Sequence, residues 1–137
     1  MRLSGINEEQ GQWRIAVEKP DPSTRAIHRV IKLTNTAIAT SGDYRNFFIK
    51  DGQRFSHTLD PVSGYPVQHS LASVTVLSPS SALADAWATA FMVLGAKKGY
   101  DLAMENELAV LFLIKDGDVI KETMTPYFKK LIEESSS

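Results

Sequence analysis

The sequence predicts an α+β fold, an antiparallel sheet covered by helices. Three observations carry this. Short segments of alternating apolar and polar residues fill the first third of the chain. A β-rich run, Leu71 to Leu77, feeds directly into a long apolar helix and then a second helix. A continuous apolar run, Leu108 to Ile114, follows, as expected of a strand buried on both faces. Strands first, then strand–helix–helix–strand, a further strand and a helical tail make an antiparallel layer with helices packed on it.

In chain order, Trp13 to Glu18 alternates with the strand period, and Lys19-Pro20-Asp21-Pro22-Ser23 breaks it. Ala26 to Leu33 alternates again, with Ile27, Arg29, Ile31 and Leu33 on one side. Thr34-Asn35 turns the chain into a third short strand, Thr36 to Thr40, so that the first forty or so residues are expected to form an antiparallel meander. Ser41 to Asn46 is expected to be a loop, with Gly42 free to approach an anion. Asp51-Gly52 between Phe47-Phe48-Ile49 and Gln53 to His57 is a hairpin signal. Ser56 to Val67 holds two prolines and a glycine and reads as an irregular, structured loop. Ala96 to Glu105 is expected to be a more exposed amphipathic helix. Asp116-Gly117 turns the buried run into Val119-Ile120-Lys121. Thr125-Pro126 starts a last helix through Ile132, and residues 133–137 are expected to fray.

The chain is organised around the helix expected from Ser80 to Gly95. Ser80 is the N-cap candidate and Gly95 the stop. Leu83, Trp87, Phe91 and Leu94 fall on one side. Asp85 and Thr89 fall together on the other, one turn apart, among Ala82, Ala86, Met92 and Val93. A helix apolar nearly all round is expected to be buried all round. Asp85 is the sole charged residue between Asp60 and Lys97, and a buried carboxylate requires a partner. Two oxygens on one side suit a hard cation such as Mg²⁺. An Asp bonded to loop backbone, with a Thr bonded back to its own helix, accounts for the same two residues.

The 137 residues suffice for a single domain, 1–137, with a real core. The net charge of −1 gives no basic footprint for nucleic acid. No apolar run is long enough to span a bilayer, and Met1 to Asn7 has no secretory apolar region. Cysteine is absent, which excludes disulfides and thiolate chemistry. His57, at a strand end and three residues from Asp60, is a candidate acid/base or phosphate contact, or a histidine satisfied by a carbonyl. His28 and His69 are taken as surface or structural.

Ala39-Thr40-Ser41-Gly42-Asp43-Tyr44, then Ser56-His57-Thr58-Leu59-Asp60-Pro61-Val62-Ser63-Gly64-Tyr65-Pro66, then Leu83-Ala84-Asp85-Ala86-Trp87-Ala88-Thr89-Ala90 resemble, in order and spacing, the ApbE family. Its members are FAD:protein FMN transferases, formerly labelled thiamine biosynthesis lipoproteins. The resemblance extends to Gly5-Ile6-Asn7 and Trp13 to Pro20 and covers essentially the whole chain. It implies the C-terminal part of the ApbE-type fold, in a chain equivalent to the C-terminal portion of a longer flavin transferase whose N-terminal half is absent.

The implied activity is Mg²⁺-dependent transfer of the FMN moiety of FAD to a Thr or Ser hydroxyl of a target protein, with AMP leaving and a phosphoester formed. Asp85 and Thr89 are implied as metal ligands, completed by an oxygen from the other half. His57 matches the family's active-site histidine and Leu59 its approach to the flavin nucleotide; Ser41, Gly42 and Asp60 lie in motifs nearby. The family is lipid-anchored on the periplasmic side of the inner membrane, where it flavinylates membrane redox proteins. The same site serves an FAD pyrophosphatase giving FMN and AMP if water is the acceptor. The portion alone is expected to lack turnover, leaving a flavin-binding or structural module. Surfaces left uncovered, Leu71 to Val76 and the Ala82, Ala86, Val93 face, are expected to drive self-association.

Overall fold

The computed structural model describes residues 1–5, 11–18, 27–42, 47–50, 53–56, 71–116 and 119–136. The strands are β1 (Arg2–Leu3), β2 (Trp13–Glu18), β3 (Ile27–Leu33), β4 (Thr36–Gly42), β5 (Phe47–Lys50), β6 (Gln53–Ser56), β7 (Leu71–Ser78), β8 (Ala109–Asp116) and β9 (Val119–Met124). The helices are α1 (Ser81–Leu94), α2 (Ala96–Glu105) and α3 (Pro126–Ser136). A five-stranded sheet runs β1-β4-β7-β8-β9, every pair antiparallel. The pairs β2-β3 and β5-β6 form separate two-stranded sheets. The α+β architecture expected from sequence is the one observed.

The five-stranded sheet is covered on both faces, and β8 shows why its sequence is apolar without interruption. Val110, Phe112 and Ile114 point toward α1 and α2, where they meet Val74, Val76, Ala84, Ala88, Phe91 and Met92. Ala109, Leu111 and Leu113 point the other way, into a cluster with Val17, Ile31 and Leu33 of the β2–β3 hairpin and Phe128 of α3. A strand buried on both faces has no position at which a polar residue reaches water. Phe91 meets Phe112 edge-on at 5.7 Å, one of the preferred arrangements of aromatic quadrupoles.

Four expectations are corrected. The first strands do not form one meander: β4 leaves β3 and pairs with β7 from Ala37↔Ser78 to Gly42↔Ser73. Ala37 and Ile38 of β4 are both buried, so this strand needs cover on its two faces, which a surface meander does not give. Ser41 and Gly42 therefore end a strand rather than begin a loop. Leu71 to Leu77 is buried throughout and presents no exposed patch, because β7 sits in mid-sheet between the two clusters. The backbone of α3 stays helical to Ser136 instead of fraying from residue 133. The short strand β1, only two residues, carries too little periodicity to be read from sequence.

One residue closes the β8–β9–α3 corner. Thr125 Oγ1 accepts from Val110 N at 3.0 Å, donates to the Leu108 carbonyl at 2.7 Å and accepts from Phe128 N at 3.4 Å, with Thr125 fully buried. The hydroxyl takes the place of a ladder acceptor for β8 and caps α3. Beside it in kind but not in satisfaction, Ser73 Oγ is buried without a hydrogen-bond partner among the described residues.

Candidate functional site

Helix α1 carries Asp85 and Thr89, the two oxygen-bearing side chains read from the sequence as candidate ligands. Ser80 caps it, its hydroxyl accepting from Leu83 N at 3.3 Å. Gly95 ends it with φ of 84°, in the region where a side chain is strained. The helix packs on β4 and β7 through Ala84, Ala88, Phe91 and Met92. The methyl side chains of Ala84 and Ala88 let the helix come close to the sheet, and Asp85 thereby lies beside the β4 strand.

The helix is not buried all round. Asp85, Thr89, Ala82 and Ala86 are exposed, and Leu83 is 56% exposed. Among the described residues only the Ala84–Met92 stripe finds cover, from β4, β7 and α2. The apolar outer side is a property of the sequence that these neighbours do not use. Trp87 is half-buried and stacks on Phe91 with ring centroids 5.5 Å apart.

Asp85 and Thr89 share one exposed flank, one turn apart, as expected. Thr89 Oγ1 donates to the Asp85 backbone carbonyl at 3.0 Å. This is the back-bonding that competes with the ligand reading, yet it also supports it. The hydroxyl proton is committed to the helix, so the oxygen lone pairs are turned outward. No donor or cation among the described residues pairs with the Asp85 carboxylate. A formal negative charge and a neutral hydroxyl oxygen on one flank are the donors a hard cation takes. Among the described residues there is no group of three or more His, Cys, Asp or Glu that could enclose a metal. A cation at Asp85 and Thr89 would need further oxygen ligands beyond these two side chains, of the kind that water and phosphate supply to Mg²⁺.

Asp85 opens onto a depression of about 380 Å³ lined by Met1, Ile15, Ala16, Ile38, Ala39 and Thr40. Its walls are the β2 strand on one side and β4 on the other. Thr40 Oγ1 lies 2.9 Å from Thr75 Oγ1, its cross-strand partner on β7, so a hydroxyl pair stands at the base of this wall. Thr40 lies within a quoted motif, but nothing in the sequence marked it, Ile15 or Ala16 as wall residues. They meet only because the hairpin folds back over the sheet, a contact between segments that periodicity cannot show. Of the remaining sequence candidates, Ser41 and Gly42 end β4, whereas His57, Leu59 and Asp60 lie outside the described residues.

Comparison with known proteins converges on one group. The ApbE family model matches residues 1–112. The FAD:protein FMN transferase of Escherichia coli K12 is 42% identical over 128 residues, 93% of this chain and 36% of that protein. The enzyme of the same description from Haemophilus influenzae is 45% identical over 134 residues, covering 97% and 39% respectively. Among solved structures, the flavin transferase ApbE from Vibrio cholerae aligns with a TM-score of 0.82 at 42% identity, over 95% of this chain and 41% of that one. The apo form of the Pseudomonas stutzeri flavinyl transferase aligns at 0.78, also with 42% identity, over 94% and 39%. The chain thus spans 36–41% of the length of these relatives.

Proposed function

This chain belongs to the ApbE family, and from that premise we propose that it supplies the metal-holding wall of an FAD:protein FMN transferase. The carrying observation is the exposed Asp85–Thr89 flank, two side-chain oxygens one helical turn apart, with Asp85 lining an open depression. That the relatives are FAD:protein FMN transferases supports the substrate.

In this proposal Asp85 and Thr89 would hold Mg²⁺, which when bound would supply charge neutralisation at the FAD pyrophosphate. Asp85 contributes the charge that retains the ion. Thr89 contributes an oxygen that does not repel phosphate. The acceptor is a Thr or Ser hydroxyl of a target protein. Its oxygen bonds to the FMN phosphorus, the bond to the AMP phosphate oxygen breaks, and AMP leaves with that electron pair. By family resemblance, His57 is the residue proposed to take the hydroxyl proton and Leu59 the one proposed to meet the nucleotide. The openness of the depression suits an acceptor presented by another macromolecule. We place the encounter on the periplasmic side of the inner membrane, with a lipid anchor on the whole protein, by family resemblance. Of the described helices, none is long and apolar enough to cross a membrane.

The exposed Ala82, Leu83 and Ala86 on α1 support self-association of this chain alone. A monomeric mass by light scattering at high concentration would count against it. The test of the activity uses a protein of the relatives' full length, FAD, Mg²⁺ and a Thr-bearing acceptor. Covalent flavin on the acceptor and AMP release, both lost in Asp85→Ala, are expected. Free FMN with unmodified acceptor would replace the transferase with the pyrophosphatase.

A further inference from the structure

Among the described residues the β2–β3 hairpin shares no hydrogen-bonded ladder with the five-stranded sheet. It lies on that sheet through Val17, Ile31 and Leu33. Apolar burial is non-directional, so the hairpin's position is left to other ties: at its Trp13–Leu33 end these are the two-residue link from β3 into β4 and Trp13 Nε1 donating to the Ser4 carbonyl at 3.1 Å, and neither reaches the opposite end. Position nevertheless matters, because Ile15 and Ala16 of β2 are a wall of the Asp85 depression.

A directional contact exists at Glu122 on β9. The register of the hairpin steps from Val17↔Arg29 to Glu18↔Ile27, which leaves His28 as an extra residue on β3. A bulge of this kind re-aims side chains that a regular strand would send to opposite faces. Here consecutive residues converge on one carboxylate. Arg29 donates from Nη2 to Glu122 Oε1 at 2.6 Å and from Nε to Oε2 at 3.1 Å. His28 Nε2 lies 2.7 Å from the same Oε2. An ionised carboxylate only accepts, so this nitrogen carries the proton. The fork of Arg29 fixes angle as well as distance. The Glu122 side chain is 19% exposed and its backbone is held opposite Leu113 on β9, the edge strand of the main sheet. At the other end of the link, Arg29 faces Val17, the neighbour of Ala16.

We propose that Glu122 is a positioning residue for the depression: through the His28–Arg29 bulge it sets where the β2 wall stands relative to β4 and Asp85. The proposal deepens the flavin-transferase reading, on which it rests only for the identity of the ligand. Neither Glu122 nor the bulge touches the depression.

The experiment compares ¹H–¹⁵N spectra of the whole chain for wild type, Glu122→Gln and Arg29→Lys, the last keeping charge while removing the fork. A residue that adds only stability lowers the melting temperature and leaves native-state shifts unchanged away from the substitution. A positioning residue moves the amide resonances of Ile15 and Ala16, and those of Ala39 and Thr40 across the depression, in both variants. FAD affinity in the presence of Mg²⁺ is expected to fall severalfold at a temperature where the variants are fully folded. Wild-type shifts at these four amides, with changes confined to the neighbours of residues 122 and 29, would overturn the proposal. The spectral comparison needs no ligand, so it decides the matter even if wild type binds no FAD, a result that would count against the flavin reading alone.

Discussion

Replacing Thr125 by Val removes one oxygen from a fully buried position while keeping the branched shape. Three interactions go with it. Val110 N–H loses an acceptor at 3.0 Å, and no other strand partner replaces it because the β8–β9 ladder begins only at Leu111↔Met124. A buried donor left unpaired costs about 1–3 kcal/mol. The N-cap contact to Phe128 N is long, 3.4 Å, which places its loss at the low end of the range, about 0.5–1 kcal/mol. The Leu108 carbonyl lies in a partly exposed residue and can recover a bond to water. The sum is about 1.5–4 kcal/mol. For a chain of this size 1 kcal/mol moves the melting temperature by roughly 3 °C, so the variant should melt roughly 5–12 °C lower. Urea unfolding by circular dichroism, with unchanged slope, measures it. A loss below about 1 kcal/mol would refute the argument that this hydroxyl stands in for a ladder acceptor.

Three further outcomes are expected. Burial alone raises the Glu122 carboxyl, but the hydrogen bonds and charges of Arg29 and His28 outweigh it and hold it below the ordinary 4.5. The clamp therefore contributes stability above pH 4.5 that disappears as pH falls through the lowered value; the gap between the urea midpoints of wild type and Glu122→Gln should shrink as the solution is acidified below 4.5, and a constant gap would contradict this. Ser73→Ala removes an unpartnered buried hydroxyl and should be neutral or stabilising by up to about 1 kcal/mol in thermal unfolding, whereas a clear loss would reveal a partner. Thr89→Ser should keep Mg²⁺ affinity measured by calorimetry within severalfold, while Thr89→Val should weaken it by roughly tenfold or more, the loss of one oxygen ligand and the placement of a methyl in its stead; equal affinities would remove Thr89 from the ligand set.

How much of this was legible in the sequence depends on whether a feature is local. Helix α1 was readable nearly to the residue, because Ser80 and Gly95 mark its ends through their own backbone chemistry. The shared flank of Asp85 and Thr89 follows from helical spacing alone. The run around Leu111 announced a strand covered twice. By contrast, the pairing of β4 with β7 instead of β3 joins segments some 35 residues apart, and the intervening turn at Asn35 reads the same in either case. The apolar circumference of α1 suggested burial, but what covers a face is decided by neighbours, and only one stripe has them among the described residues. Glu122 carried no signal at all: a single acid in a short alternating strand, it gains its role from a bulge ninety-odd residues earlier. The resemblance motifs located His57 and Leu59 without geometry, since both lie outside the described residues.

The most direct test of the central claim is a fluorescence titration of FAD against this chain, with and without Mg²⁺, for wild type and Asp85→Ala. Asp85 is exposed on α1 and makes no packing contribution that its loss would disturb, so the variant should fold like wild type. Binding that requires Mg²⁺ and is lost in Asp85→Ala is the predicted result. FAD binding of equal strength with and without Mg²⁺, unchanged by Asp85→Ala, would contradict the assignment of Asp85 as the residue that holds the ion.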